Sequence, residues 1–256
     1  MSDLALAVRQ VRYTNRAFWR NPASAFFTIV FPLMFLVIFT AIFGGTTTTP
    51  FGEIKTSNYY IPAIAAFSII TATYTNLAIS TTFLRDAGIL KRIQGSPLPG
   101  WAYLFGRIVH AILVSFLLVI VVVVFGVAFY GATVPSDRLL PFVVTILVGS
   151  ASFSALGLAV TTIVPNADAA PAVVNATILP LLFLSGVFIP LQPGNPWYVQ
   201  VAKVFPVYHF VQPMLASYFL PVGNGWKGSD LLILGAWGLA AAILAVRSFR
   251  WEPGGS

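Results

Sequence analysis

Long apolar runs separated by short polar punctuation organise this sequence. Six stretches of roughly 20 mostly apolar residues, each long enough to cross a bilayer as a helix, lie at about 22–43, 59–83, 105–130, 140–164, 171–189 and 231–246. Asn21-Pro22 reads as an N-cap with proline at the first helical position of the first run, and Pro32 is expected to kink it. Gly44 to Lys55 reads as a short polar loop. The β-branched block Val119 to Val124 would suggest a strand in water, but the length of the third run decides for helix. Ser136-Asp137-Arg138 is expected to cap the fourth run, Pro165-Asn166-Ala167-Asp168 to turn tightly into the fifth, and Ser229-Asp230 to cap the sixth.

Two further segments carry a pattern without spanning length. Over residues 3–20, a helix places Arg9, Arg12, Arg16 and Arg20 on one narrow stripe and Leu4, Val8, Val11 and Phe18 on a separate face. That pattern fits an interfacial helix with its arginines toward anionic lipid, or a juxtamembrane helix packed on something else. Between Pro190 and Gly228 the chain is aromatic and proline-rich. Trp197, Tyr198, Val201, Val204 and Phe205 recur with helical spacing between Pro193 and Pro206, so residues 190–228 are expected to form a re-entrant or interfacial hairpin held against protein. No internal repeat is evident.

Composition agrees with a membrane protein: 58% of residues are hydrophobic, 8% are charged, and the mean hydropathy is +0.88. The first residues lack the apolar core and cleavage pattern of an export signal. With the amino terminus inside, Arg9, Arg12, Arg16, Arg20, Arg85, Lys91, Arg92, Arg107, Arg247 and Arg250 fall on the cytoplasmic side, against Lys55, Arg138, Lys203 and Lys227 outside. Ten against four places both termini in the cytoplasm of a multi-pass cell (inner or plasma) membrane protein. The net charge of +7 is then topology information, and no basic groove with interleaved aromatics suggests nucleic acid.

Missing chemistry narrows the function. There is no cysteine, and with two histidines no metal site is expected. All seven acidic residues fall at ends of runs or in loops, away from the intramembrane positions that ion-coupled transport uses. His110, one turn past Arg107, is expected to be a satisfied interfacial histidine ahead of a proton relay. The chain has no GxxxxGK[ST] loop, no Ser-His-Asp or paired-carboxylate arrangement and no GxSxG, so no catalytic residue is assigned and nucleotide chemistry must come from elsewhere.

A compact charged island breaks this apolar chain at residues 84–101. Within it, Asp86-Ala87-Gly88-Ile89-Leu90-Lys91-Arg92 followed by Gly95-Ser96-Pro97-Leu98-Pro99 resembles the connector of ABC-2 type permeases, approximately acidic-x-G-[TI]-L-[KR]-R, a small residue, then [TS]-P-L-P. Phe183-Leu184-Ser185-Gly186-Val187-Phe188-Ile189-Pro190 resembles that family's fLSGvfxP at the end of the fifth span. With Pro196-Trp197, Phe205-Pro206 and Phe249-Arg250-Trp251, the resemblance covers essentially the whole chain. Among subgroups it is most similar to drug-exporter permeases of the daunorubicin-resistance type, while lipid-linked polysaccharide exporters share the architecture.

The resemblance implies an all-α polytopic membrane protein, one ABC-2 transmembrane domain over residues 1–256. It would have six spans, the amphipathic helix at the amino terminus, a cytoplasmic coupling helix between spans two and three, and an extracytoplasmic re-entrant hairpin between spans five and six. It implies a second, identical permease chain and a separate dimeric ABC ATPase that holds ATP and Mg, with no cofactor on this chain. In the coupling region, Ile89 and Leu90 would anchor in the ATPase cleft. Asp86, Lys91 and Arg92 would set register, Gly88 belongs to the same coupling set, and Pro97, Leu98 and Pro99 would return the chain rigidly to the third span. ATP-driven closure would then shift the spans between inward- and outward-open states.

The cargo path is expected along a polar stripe on the second span, Ser68, Thr71, Tyr74, Thr75, Asn76 and Thr82, facing Asn175, Thr177 and Ser185 of the fifth. Phe67, Phe183 and Leu184 would supply apolar walls, and Asn76 and Asn175 are the strongest individual candidates. The same residues also suit helix-to-helix packing without cargo contact. Pro32 and Pro180 are candidate bends. Three functions stand: an ATP-driven exporter of hydrophobic or amphipathic compounds, a lipid-linked glycan exporter, and a non-transporting scaffold or channel.

Overall fold

Backbone groups in hydrocarbon find no partner in the solvent, so each apolar run closes its own hydrogen bonds as a helix. A computed structural model describes residues 3–49, 52–191, 197–218 and 224–252. In chain order the helices are α1 (Asp3–Trp19), α2 (Pro22–Ile42), α3 (Thr56–Ile70), α4 (Asn76–Asp86), α5 (Ile89–Gln94), α6 (Gly100–Tyr130), α7 (Leu139–Val160), α8 (Ala170–Leu184), α9 (Trp197–Ala202), α10 (Pro206–Tyr218) and α11 (Gly228–Ser248). Asn21 caps α2 as expected, its side chain accepting from the Ser24 amide at 3.2 Å, and Pro32 lies inside a continuous α2.

Among the described residues, five helical stretches are long and apolar enough to cross a membrane: Pro22–Ile42, Thr56–Asp86, Gly100–Tyr130, Ser136–Val160 and Gly228–Ser248. The expected count of six meets a shorter fifth element. α8 ends at Leu184 with Ser185 as its C-cap, so its 15 residues reach only about 22 Å of a hydrocarbon layer of about 30 Å.

The second run is the structural centre. α3, a π-helical turn at Thr71–Thr75 and α4 form one unbroken stretch, longer at both ends than the expected 59–83 and far more buried than the runs before and after it in the chain. Several of its hydroxyls bond back to their own helix: Ser68 to the Ile64 carbonyl at 2.7 Å, Thr73 to Ile69 at 2.6 Å and Thr82 to Ala78 at 3.1 Å. These groups are therefore satisfied without a partner helix. α7 crosses the π-turn at Gly157, where a Cβ would lie 2.8 Å from the Tyr74 carbonyl oxygen and 2.9 Å from that of Thr73, so only glycine permits this approach. α11 packs along α7, α10 is buried against α3, α7 and α11, and α2 presents Phe26, Phe27, Met34 and Ile42 outward.

Several loop expectations are corrected. Within the segment read as a polar loop, β1 (Thr46–Thr49) and β2 (Gly52–Lys55) pair antiparallel with Thr46 opposite Lys55, because four consecutive β-branched threonines favour extended backbone. Ser136–Arg138 is a 3₁₀ turn and Arg138 caps α7 without a side-chain bond. Instead, Arg138 is buried and donates to the Ala216 carbonyl at 3.3 Å. Asp230 does not cap α11 either. Its carboxylate lies 2.6 Å from His209 Nδ1, while His209 Nε2 donates to the Lys203 carbonyl at 2.7 Å, tying the α9–α10 corner to α11.

Two segments take more specific forms than expected. α1 packs on α6 through Ala7 and Gln10, the latter lying over Gly106, while Phe18 meets His110 at 5.5 Å between ring centroids. Arg9, Arg12, Arg16 and Arg20 are exposed, as is Val8 on the expected apolar face, 61% accessible; the Leu4 side chain lies outside the described set. Of the hairpin expected at 190–228, α9 and α10 are formed, and Pro193 and Pro196 lie outside the described residues.

Candidate functional site

The charged island divides into an inward half and an outward half. Arg85 and Asp86 are the last residues of α4 rather than part of the connector. Arg85, 3% exposed, donates from its two terminal nitrogens to the carbonyls of Thr161 at 2.9 Å and Val164 at 2.7 Å. Thr161 is the C-cap of α7 and Val164 lies in the turn that follows, so the guanidinium supplies a donor the helix end lacks, a charge of the sign its C-terminus favours, and a hold on the turn. Asp86 accepts from the Ala167 amide and pairs with Arg85 Nε at 3.4 Å. Two adjacent residues thus fasten the start of the connector to the turn between α7 and α8.

Gly88 follows at φ +70°, a left-handed conformation that reverses the chain into α5 at little cost for glycine alone. Leu90 is fully buried, whereas Ile89, Lys91 and Arg92 are exposed. Of the two apolar residues read as anchors, only Ile89 is accessible from outside. Pro97 is exposed, Leu98 and Pro99 are half-buried, and Pro99 precedes α6. The carboxyl-terminal segment braces this connector, a feature the sequence reading missed: the Trp251 ring lies over Gly100 and 6.2 Å from that of Tyr103, and Glu252 pairs with Lys91 at 3.1 Å. Both partners of that pair are well exposed, so Glu252→Gln is expected to change stability by less than about 1 kcal/mol, as thermal unfolding in detergent would register.

The residues read as a cargo path fall into two places. Phe67 and Phe183 both pack on Phe188, at 5.3 and 4.9 Å between centroids, in an aromatic ladder with Phe31, Phe35 and Phe39 of α2. Three tyrosines bind the central stretch to α8 and its following turn: Tyr59 to the Gly186 carbonyl, Tyr60 to Phe188 at 3.0 Å, and Tyr74 to Thr177 Oγ1 at 2.7 Å. Thr71 and Thr75 are half-buried nearby, as are Asn175 and Leu184 on α8. Asn76, however, is exposed and lines a separate cleft, and no hydrogen bond joins it to Asn175 among the described residues.

That cleft, about 730 Å³, lies between α1, the start of α2, α4, α5 and the first half of α6. Its walls carry Phe18, Phe83, Ile89 and Val114, with Arg107 and His110 set among them. Arg107 is 7% exposed and donates to Tyr103 Oη at 3.0 Å and to Ser80 Oγ; its Nε has no partner among the described residues. His110 Nδ1 is also buried without a partner, so the satisfied histidine expected from sequence is not what the fold provides. Among the described residues no three His, Asp or Glu side chains come together as a metal site.

Comparison with known proteins adds a second line. Residues 5–219 match the family described as ABC-2 type transporter. A transport permease, ycf38, of Porphyra purpurea is 24% identical over 222 residues, covering 86% of this chain and 75% of the relative. The ycf38 permease of Cyanophora paradoxa is 27% identical over 222 residues, covering 83% and 73%.

Proposed function

The chain belongs to the ABC-2 type transporter family, and from that premise we propose that it is the membrane subunit of an ATP-driven exporter for hydrophobic or amphipathic compounds, worked by a separate ABC ATPase dimer. The family works with an ATPase subunit, and this chain carries no nucleotide-binding loop of its own. It acts as a transport subunit rather than an enzyme. ATP and Mg reside on the partner, and two permease chains pair, with the aromatic ladder and the tyrosine-linked α3–α8 face bordering the path.

The observation that carries this reading is the connector's two-sided construction. Its exposed side offers Ile89, Lys91 and Arg92, while Leu90 roots α5 in its own chain and Arg85 and Asp86 fasten α4 to the α7–α8 turn. A push on the exposed side is therefore passed to three spans at once. In this reading α8 with Ser185 to Pro190 completes a sixth crossing and both termini are cytoplasmic. Removing the buried Arg85, Arg107 and Arg138 from the charge comparison leaves eight cationic residues inside against three outside, which still supports that orientation.

The test is reconstitution in vesicles with the copurifying ATPase, following ATP-dependent accumulation of an anthracycline. Reversing both exposed charges, K91E with R92E, is expected to weaken association with the ATPase and lower ATP-dependent transport about tenfold or more, since like charges at a docking rim cost several kcal/mol. Full transport by this double variant, or uptake independent of ATP, would remove the coupling role. Leu90→Asp is a poor probe of docking, because it places a carboxylate where no solvent reaches.

A further inference from the structure

The cleft beneath α1 is separate from the aromatic ladder between α2 and α3, and it borders the docking face of α5 at Ile89. Its depth follows from the length of α6, whose 31 residues rise about 46 Å, well beyond a hydrocarbon layer of about 30 Å. With Phe129 and Tyr130 at one interface, where aromatic residues anchor, about 20 residues of hydrocarbon reach back to Ala111. Tyr103, Arg107 and His110 then stand in the opposite headgroup layer, the cytoplasmic one in the orientation proposed above.

The charge there is unbalanced. Among the described residues, Arg107 is the one charged side chain lining the cleft, its hydrogen bonds go to two neutral hydroxyls, and no carboxylate pairs with it. A guanidinium held nine-tenths buried in protein without a counter-charge is costly, and an anion reaching it would offset that cost. One turn further, His110 holds a buried ring nitrogen with no partner. The remaining walls are largely apolar, and the volume lies within the range of ligand pockets.

We infer that this cleft binds the oxyanion headgroup of a membrane amphiphile, a phosphate or carboxylate at Arg107 and His110 with an acyl chain along Phe18, Phe83 and Val114. Guanidinium matches either anion through paired N–H donors, and the apolar wall selects an amphiphile over a free ion. Because α1 forms one wall and Ile89 of α5 another, an occupant joins the amino-terminal helix to the connector. Anionic lipid would thereby set how firmly the lever is held.

The test uses the full chain alone in phosphatidylcholine nanodiscs doped with photoactivatable phosphatidylglycerol, photoactivatable palmitate or photoactivatable phosphatidylcholine. Crosslinks mapped by mass spectrometry are expected on peptides carrying Phe18 or Phe83 with either anionic probe, and R107Q is expected to reduce them about tenfold, the loss of one charge-assisted contact. R107K retains part of the labelling. Ala111→Phe, which narrows the cleft and leaves Arg107 in place, also lowers it, so the result does not rest on one variant's folding. Equal labelling by the zwitterionic probe, labelling unchanged by R107Q, displacement by millimolar inorganic phosphate, or expulsion of the probes when the ATPase is added would each overturn the assignment. The first two deny anion recognition; the others assign the cleft to a free anion or to a partner's carboxylate. Since no ATPase is needed for the labelling, failure of the coupling reading leaves this result standing.

Discussion

Arg85→Met is expected to destabilise the protein by about 2–6 kcal/mol, because two buried carbonyls lose their donors and each unsatisfied group costs about 1–3 kcal/mol. The methionine fills similar volume, so the loss reports hydrogen bonding and charge rather than a cavity. Thr161 and Val164 are themselves buried, which leaves little water to substitute for the guanidinium. Arg85→Lys keeps the charge but loses the planar fork that reaches both carbonyls at once, and it should fall between the two. Thermal unfolding in detergent checks the order wild type, lysine, methionine. A methionine variant as stable as wild type would mean that α7 ends without help from α4.

The same substitution has a functional arm. If Arg85 and Asp86 transmit movement of α5 to the α7–α8 turn, Arg85→Lys in vesicles should retain ATP hydrolysis by the partner while transport per ATP falls. That split separates a transmitting residue from a docking residue, whose loss lowers both together.

How the sequence could and could not foretell these features follows from the range of each interaction. The long apolar runs announced α2, α6, α7 and α11 because lipid imposes a length and a hydropathy on every residue of a span. The connector was legible through local motif, glycine and proline, which act on their own backbone. Arg85 was not, since its partners lie more than 70 residues away and a buried arginine looks like an exposed one in sequence. Counting it with the topology charges was the natural outcome.

The polar stripe on the second run shows the same limit. Of its members, Ser68 and Thr82 bond their own helix and need no pathway to explain them, whereas Tyr74, like Tyr59 and Tyr60 outside the stripe, reaches across to α8 or its following turn. Asn76 and Asn175 are the strongest individual candidates in sequence for one path, yet the π-turn just before Asn76 changes the helical register and Asn76 opens on the cleft beneath α1. A single extra residue per turn leaves no mark in hydropathy. The hairpin at Thr46–Lys55 was hidden for a related reason: threonine counts as polar, although its β-branch favours strands.

The π-turn itself supplies the second large effect. Gly157→Leu is expected to prevent assembly of α7 on the central stretch, and Gly157→Ala to destabilise it by about 1–3 kcal/mol, the usual cost of overpacking a close contact. The obstruction is backbone, with the Tyr74 carbonyl oxygen at 2.8 Å and its Cα at 3.0 Å from the added Cβ, so no rotamer change relieves it. For a chain of this size that loss corresponds to a fall of about 2–4 °C in midpoint per kcal/mol. Gly235→Ala in α11 is the matched control: nothing lies within 4 Å of its added Cβ, and the gain in helix propensity should leave the midpoint unchanged or slightly raised. Equal midpoints for the two alanine variants would mean that α7 stands farther from the turn than these distances require. A large fall confined to Gly157 would establish that the wide turn is held from the outside, by the close passage of α7, as well as by its own hydrogen bonds.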